Sequence, residues 1–399
     1  MRLFAFEGLY YTPRAGDAGE LAAQPYDQIN DALRDRYHAQ SPFQFVHLTK
    51  PLAGPAGDPY QSAKALHGKW LEEGVVARAP KPELYPYVIE LAGGGRRLGI
   101  CGLVRLEDAK VIRPHEQTLD KPLADRLALL EAMRVDLEPA LILSEDGGKL
   151  DALLEEDLRN AQALVRHRDG DGHVHVLYRI DDPARIAQYQ AALDVPAAIA
   201  DGHHRYKVAQ RFAEAHGAQR GTAAAAKLTV VTSLDSPSLT IDPIHRAFKE
   251  PIDLSRLAGA HTGTETFRGE GGAAFAAAVA AAPQPAIGVW VHGREPEIWR
   301  LASTAGLVVE TFQETFLSAL GLPPEASTNG TVVYRANPDE LWNQVAAGEL
   351  GTGIFLPPMR PADFAAAIAD GEMLPAKSTR FLPKVMSGLV WADHESKIL

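Results

Sequence analysis

The stretch Ile199-Ala200-Asp201-Gly202-His203-His204-Arg205-Tyr206-Lys207 restricts the fold more than any other, because it closes an apolar run and opens an amphipathic one. Val195-Pro196-Ala197-Ala198-Ile199-Ala200 predicts a short buried strand, and Tyr206, Val208, Ala209 and Phe212 recur at the spacing of one helical face. The chain must turn at Gly202. A strand, a glycine and the first turn of a helix gather backbone N–H groups and the positive end of the helix dipole around one point, which favours an anion. Arg205 and Lys207 add fixed charge there, and His203 and His204 add donors or proton-transfer groups. The plainer reading is a surface turn whose histidines cap a helix.

What surrounds such a turn depends on chain size and charge. At 399 residues the chain exceeds one simple core, so two or three domains are expected. A net charge of −11 argues against a large nucleic-acid surface, which needs a basic face, but leaves room for a local basic pocket. Cys101 is the sole cysteine, which excludes an internal disulfide and suits a reducing compartment. Its apolar flanks predict a buried strand thiol. No apolar run approaches the roughly 20 residues a membrane span needs, and the N-terminus lacks the pattern of a signal peptide, so a cytoplasmic location is expected.

Along the chain, residues 1–60 are rich in loops and prolines, with Pro25-Tyr26-Asp27 and His47-Leu48-Thr49-Lys50-Pro51 as ordered polar segments. A helix is expected over 60–73 and strands over 85–91 and 98–106, joined at Gly93-Gly94-Gly95. No Lys-Ser/Thr or helix follows those glycines, so they read as a hairpin connection and not as a phosphate loop. Val111-Ile112-Arg113-Pro114-His115-Glu116-Gln117-Thr118 is a second polar cluster, placed before a helix over 122–135. Its carboxylate beside a histidine suits a general base or, equally, a solvated turn. A hairpin over 164–167 and 173–180 alternates so that His173 and His175 read as its exposed face.

From 250 to 350 the chain is alanine-rich, with helices expected near 272–282, 309–319 and 337–347 and strands near 286–292, 296–301 and 331–335. This reads as an α+β subdomain, serving as a lid or a homodimer surface. Lys377-Ser378-Thr379-Arg380 then offers cations and hydroxyls within four residues, a composition that suits phosphate or a basic surface turn.

Taken in order, Pro25-Tyr26-Asp27, His47 to Pro51, Arg113 to Thr118, Ala200 to Tyr206, His245-Arg246 and Lys377 to Lys384 resemble the motifs of DUF1015, a bacterial and archaeal family of unknown function. More distantly, Asp-Gly-His-His-Arg at a helix start is similar to the phosphate-binding turn of the ParB and sulfiredoxin superfamily. Free-serine kinases of that superfamily pair an Asp-Gly-x-x-Arg turn with an upstream His-Glu, whose glutamate activates the serine hydroxyl. Here the 84 residues between Glu116 and Asp201 exceed the spacing in those small kinases. Sulfiredoxin chemistry needs a cysteine where this turn has histidine, and no helix-turn-helix for DNA is evident.

The resemblance implies an α+β fold with a ParB/sulfiredoxin-like mixed core and an additional α+β subdomain. Its expected divisions are 1–110, a nucleotide-binding core over 111–249, the subdomain over 250–350, and a segment over 351–399 that returns to the site. It further implies a small-molecule kinase using ATP or ADP with Mg²⁺. Glu116, His115 and Asp201 would be catalytic, and Gly202, His203, His204, Arg205, Lys377, Ser378 and Thr379 would hold phosphates. Asp27 and Lys50 would line the acceptor pocket, with serine or a related amino or hydroxy acid as substrate. Two other readings stay open: a nucleotide-binding regulator without turnover, and a metal-dependent hydrolase using Asp201, His203, His204 and His115 or His245. Adjacent helical histidines diverge by about 100°, which weighs against both ligating one ion.

Overall fold

Apolar, β-branched runs between residues 85 and 105 become the antiparallel pair Tyr85–Glu90 and Arg96–Arg105, the spine of a nine-stranded mixed sheet. The structure is a computed structural model that describes every residue except 55–56, 117–119, 303–305, 370, 372 and 376, and only the backbone at 120–122. Gln117 and Thr118 of the second polar cluster therefore lie outside the described residues. The chain divides into two units, Met1–Leu239 with Pro383–Leu399, and Thr240–Leu382.

In the first unit the strands run in the order Ile112–Arg113, Ala197–Asp201, Ala140–Ser144, Ala226–Ser233, Arg96–Arg105, Tyr85–Glu90, Val174–Leu177 and Val165–Arg168, with Leu3–Phe4 also pairing Arg96–Arg105. Ala197–Asp201 is parallel to Ile112–Arg113, and Ala140–Ser144 to Ala226–Ser233; the other pairs are antiparallel. Every residue of Ala226–Ser233 is buried, as expected of a strand covered on both faces. Lys149–Asp157 and Pro183–Ala192 put Leu150, Leu154, Ile186 and Tyr189 into a core with Ile142, Ile199 and Val231. Leu123 and Leu130 of Asp120–Met133 pack with Val208 and Phe212 of His203–Ala215. Cys101 is buried, and burial raises its thiol.

The histidines of the hairpin differ from the sequence reading. His175 is fully buried, with Nδ1 bonded to the Tyr87 hydroxyl at 2.7 Å and Nε2 to Asp169 at 3.1 Å. Strand alternation alone could not register this, because the covering partners come from other strands and from the turn.

Pro383–Leu399 completes the first unit. Ser387 exchanges backbone bonds with Ala23, Trp391 with Leu9, and Ala392–Asp393 pairs with Val135–Asp136. Trp391 is fully buried against Phe45 and Tyr11, with ring centroids 5.0 and 5.2 Å away.

The second unit is built on a six-stranded antiparallel sheet in the order His261–Thr266, Glu297–Leu301, Ala286–Val291, Thr352–Phe355, His245–Phe248 and Val333–Arg335. Gly272–Ala281 and Pro338–Ala346 cover one face through Phe275, Val279, Leu341 and Val345. Val309, Phe312, Phe316 and Leu317 form the core on Phe248, Ile287, Val289 and Ile354. Among the described residues, no helix is long and apolar enough to cross a membrane.

Candidate functional site

The motif strand Ala197–Asp201 is buried along its length until Asp201, which is half-buried. Ile199 pairs with Ile142 and Asp201 with Leu141, two steps against one, so Ala200 forms a bulge. Bulges re-aim the side chains that follow them, and this one lies directly before the polar residues. Gly202 then adopts φ 86° and ψ 31° and caps His203–Ala215. A side chain there would meet the left-handed penalty, and its Cβ would lie 2.9 Å from Arg205 Nε. Glycine is thus required both by backbone conformation and by the packing of the guanidinium against it.

Arg205 is buried and donates to Asp201 Oδ2 at 2.5 Å and to the Pro139 carbonyl. Lys384 Nζ donates to the other carboxylate oxygen, Oδ1, at 2.5 Å. Burial by itself would raise the Asp201 pKa, but Arg205 and Lys384 outweigh it and hold the carboxyl well below the usual range. For Arg205, burial works against the charged form and is outweighed by Asp201, Asp27 and Glu138, so its pKa rises. Asp201 is therefore an ionised carboxylate with a cation on each oxygen.

Behind this pair lies a network of buried charge. Glu138 accepts the Tyr26 N–H at 2.8 Å, and the Arg126 guanidinium sits 4.5 Å from the centre of the Tyr26 ring. Burial raises the Glu138 pKa, while Arg126 and Arg205 pull the other way. Lys227 donates to Asp136 and to the Glu138 carbonyl at 2.7 Å. Arg126, Asp136, Glu138, Arg205 and Lys227 border a cavity of about 50 Å³, room for ordered water but too small for a nucleotide.

The second polar cluster reaches the same turn. His115 donates its backbone N–H to His203 Nε2 at 3.4 Å, and the two rings meet edge to face with centroids 4.6 Å apart. Burial lowers both pKa values, that of His115 to about 4 against a raising hydrogen bond to the Ile199 backbone. Both rings are neutral at neutral pH. A neutral His203 that accepts at Nε2 keeps its proton on Nδ1. Glu116, the next residue, is half-buried and makes no hydrogen bond or ion pair with another described residue.

The other candidate residues are placed as follows. His204 is half-buried beside the buried His203. Asp27 is exposed on the turn Tyr26–Gln28 and acts on the charge of Arg205. Lys50 donates its ammonium to the Ile29 carbonyl. Lys377, Ser378 and Thr379 belong to the second unit; Lys377 is exposed, and the Ser378 hydroxyl donates to the Pro375 carbonyl at 2.5 Å. Lys384 and Glu138 were absent from the sequence-derived site. Lys384 lies in the same basic tail, but a pairing across 183 positions leaves no local pattern.

The sequence pattern of a family described as a protein of unknown function, DUF1015, matches residues 3–302. No curated protein matches the sequence. Among solved structures, a free serine kinase in complex with AMP is similar at 16% identity, covering 73% of this chain and 90% of that one, with a TM-score of 0.37. A conserved hypothetical protein from Pyrococcus furiosus is similar at 16% identity, covering 73% and 93%, with a TM-score of 0.36. C-terminally truncated SbnI from Staphylococcus aureus is similar at 14% identity, covering 72% and 85%, with a TM-score of 0.37.

Proposed function

The chain belongs to the DUF1015 family, and we propose that its first unit is a ParB/sulfiredoxin-like phosphotransferase that moves a phosphoryl group from a nucleotide to a hydroxyl of a small metabolite. The observation that carries this reading is the His115–His203 contact, 3.4 Å from backbone nitrogen to ring nitrogen. It sets a carboxylate, Glu116, one residue from the rim of a turn suited to an anion. Neighbouring Cα atoms are about 3.8 Å apart, which supports reading Glu116 as a base close to the turn.

Phosphoryl transfer asks a protein for charge neutralisation, alignment and a proton acceptor. The start of His203–Ala215 supplies amide N–H groups and dipole, with Gly202 making room for Arg205. Arg205 fixes the turn, and Asp201 orients Arg205. The acceptor hydroxyl gives its proton to Glu116 as its oxygen bonds to the terminal phosphorus. The bond from that phosphorus to the bridging oxygen breaks, and the nucleotide leaves one phosphate shorter. Asp27, whose charge acts on Arg205, would line the acceptor side.

Mg²⁺, when carried by the nucleotide, would spread phosphate charge. Asp201 does not fit as its ligand, because each carboxylate oxygen already faces a cation. The same commitment weighs against a hydrolytic metal centre built on Asp201.

A nucleotide-consumption screen over free amino acids, hydroxy acids and polyols, with serine first, tests the reading. Glu116→Gln should lower turnover by roughly 100- to 10,000-fold and leave ADP affinity within a few-fold of the parent. Loss of ADP binding in that variant would remove Glu116 from the role of base. ADP binding with no acceptor consumed would make the protein a nucleotide-binding regulator.

A further inference from the structure

We propose that Lys384 is the cation that contacts the nucleotide's terminal phosphate, with Asp201 serving to hold its ammonium in place. The inference rests on the nucleotide reading above and assigns that site a residue from the far end of the chain.

Two cations flank Asp201, and they differ in what they can still do. The Arg205 side chain is 5% exposed, and two of its nitrogens are committed to Asp201 and the Pro139 carbonyl. It braces the turn. The Lys384 side chain is 19% exposed, and its ammonium carries three N–H donors, one of which is engaged by Asp201 Oδ1. It can add a phosphate oxygen without giving up the carboxylate. Asp201 is followed at once by Gly202 and the helix start, so an ammonium 2.5 Å from its carboxylate adds a point charge beside the end of the helix dipole. Asp201, Arg205 and Lys384 together carry one net positive charge; Asp27 and Glu138 also act on Arg205, so the attraction for an anion is local, carried by the Lys384 ammonium and the helix start.

The backbone that delivers Lys384 is anchored. Two residues on, the Met386 N–H donates to the Tyr87 hydroxyl at 3.1 Å, and Ser387 exchanges bonds with Ala23 at 2.8 and 3.0 Å. Tyr87 is itself bonded to His175. The lysine is thus presented from a fixed point, and little chain entropy is lost when it meets a ligand.

Calorimetric titration of the full chain with ADP and with adenosine separates a phosphate contact from a structural prop. Lys384→Met should weaken ADP binding by roughly 10- to 100-fold and shift adenosine binding by less than about twofold, with Lys384→Arg recovering most of the ADP affinity. Equal losses for both ligands, or no loss for either, would overturn the assignment while leaving the nucleotide reading intact. No ADP binding by the unmodified protein would bring down the nucleotide reading and this one with it. Labelling of the unmodified protein by an amine-reactive reagent gives a test free of folding defects. ADP should slow modification of Lys384 and adenosine should not; the same rate with both ligands overturns the proposal.

Discussion

Each unit buries an arginine, and the two are accommodated in opposite ways. Arg205 in the first unit is gripped by Asp201 and by a backbone carbonyl, with Asp27 and Glu138 contributing at longer range, and its charge is reinforced. Arg246, on His245–Phe248 in the second unit, forms no ion pair with a described carboxylate. It donates to the Ile244 carbonyl and lies 5.3 and 5.8 Å from the ring centres of Tyr334 and Phe312. Its Nε has no hydrogen-bond partner among the described residues, and burial lowers its pKa to about 10. Desolvation opposes both cations. A carboxylate offsets it with strict geometry, and aromatic faces offset it with loose geometry. Arg205 therefore fixes the position of its neighbours, whereas Arg246 mainly fills space.

That contrast breaks first at Arg205. Arg205→Met should destabilise the chain by about 3 kcal/mol in urea denaturation, because it removes the buried one of two cations from a half-buried carboxylate. A loss below about 1 kcal/mol would mean that Lys384 alone satisfies Asp201.

Asp201→Asn should come next and should depend on pH. The folded carboxyl binds its proton less readily than the unfolded one. Its contribution is therefore complete above the unfolded value near pH 4 and is lost as pH falls through the folded value. The stability gap between parent and variant should be of order 2 kcal/mol at pH 7 and should shrink toward pH 2. A gap that stays constant over that range would contradict the assignment of an ionised, doubly paired Asp201.

Two smaller effects sharpen the comparison. Gly202→Ala and Gly217→Ala both place a side chain at positive φ, but only the former meets Arg205; nothing lies within 4 Å of a Cβ at Gly217. Gly202→Ala should cost about 1 kcal/mol more than Gly217→Ala in the same denaturation assay, and equal costs would show that the guanidinium yields freely. Arg246→Met should leave stability within about 1 kcal/mol of the parent in thermal unfolding, since it strands no charge. A large loss there would reveal an anionic partner for Arg246.

Much of the local architecture was legible. A motif strand over 195–200 and a helix opening after the turn at Gly202 are both expected, and they occur at Ala197–Asp201 and His203–Ala215, because an apolar run, a glycine and a 3.6-residue stripe are local signals. The helices and strands expected between 272 and 347 are present for the same reason. What escaped detection was non-local. The bulge at Ala200 depends on register against Leu141 and Ile142, and the burial of His175 depends on Tyr87 and Asp169. The site showed the same division. Asp201 and Arg205 stand four positions apart across the turn at Gly202, a spacing visible in the residues themselves. The grip of Lys384 on Asp201 spans most of the chain, and nothing near Lys384 announces it.

The return of Pro383–Leu399 to the first unit has a consequence for biosynthesis. Translation proceeds from residue 1, so the ribosome must synthesise all of Thr240–Leu382 before Lys384 exists. A nascent or prematurely terminated product that already contains Asp201 and Arg205 lacks the second cation, the Ser387–Ala23 bonds and the buried Trp391. A chain that ends before residue 383 therefore keeps Arg205 on Asp201 without Lys384 on its other carboxylate oxygen.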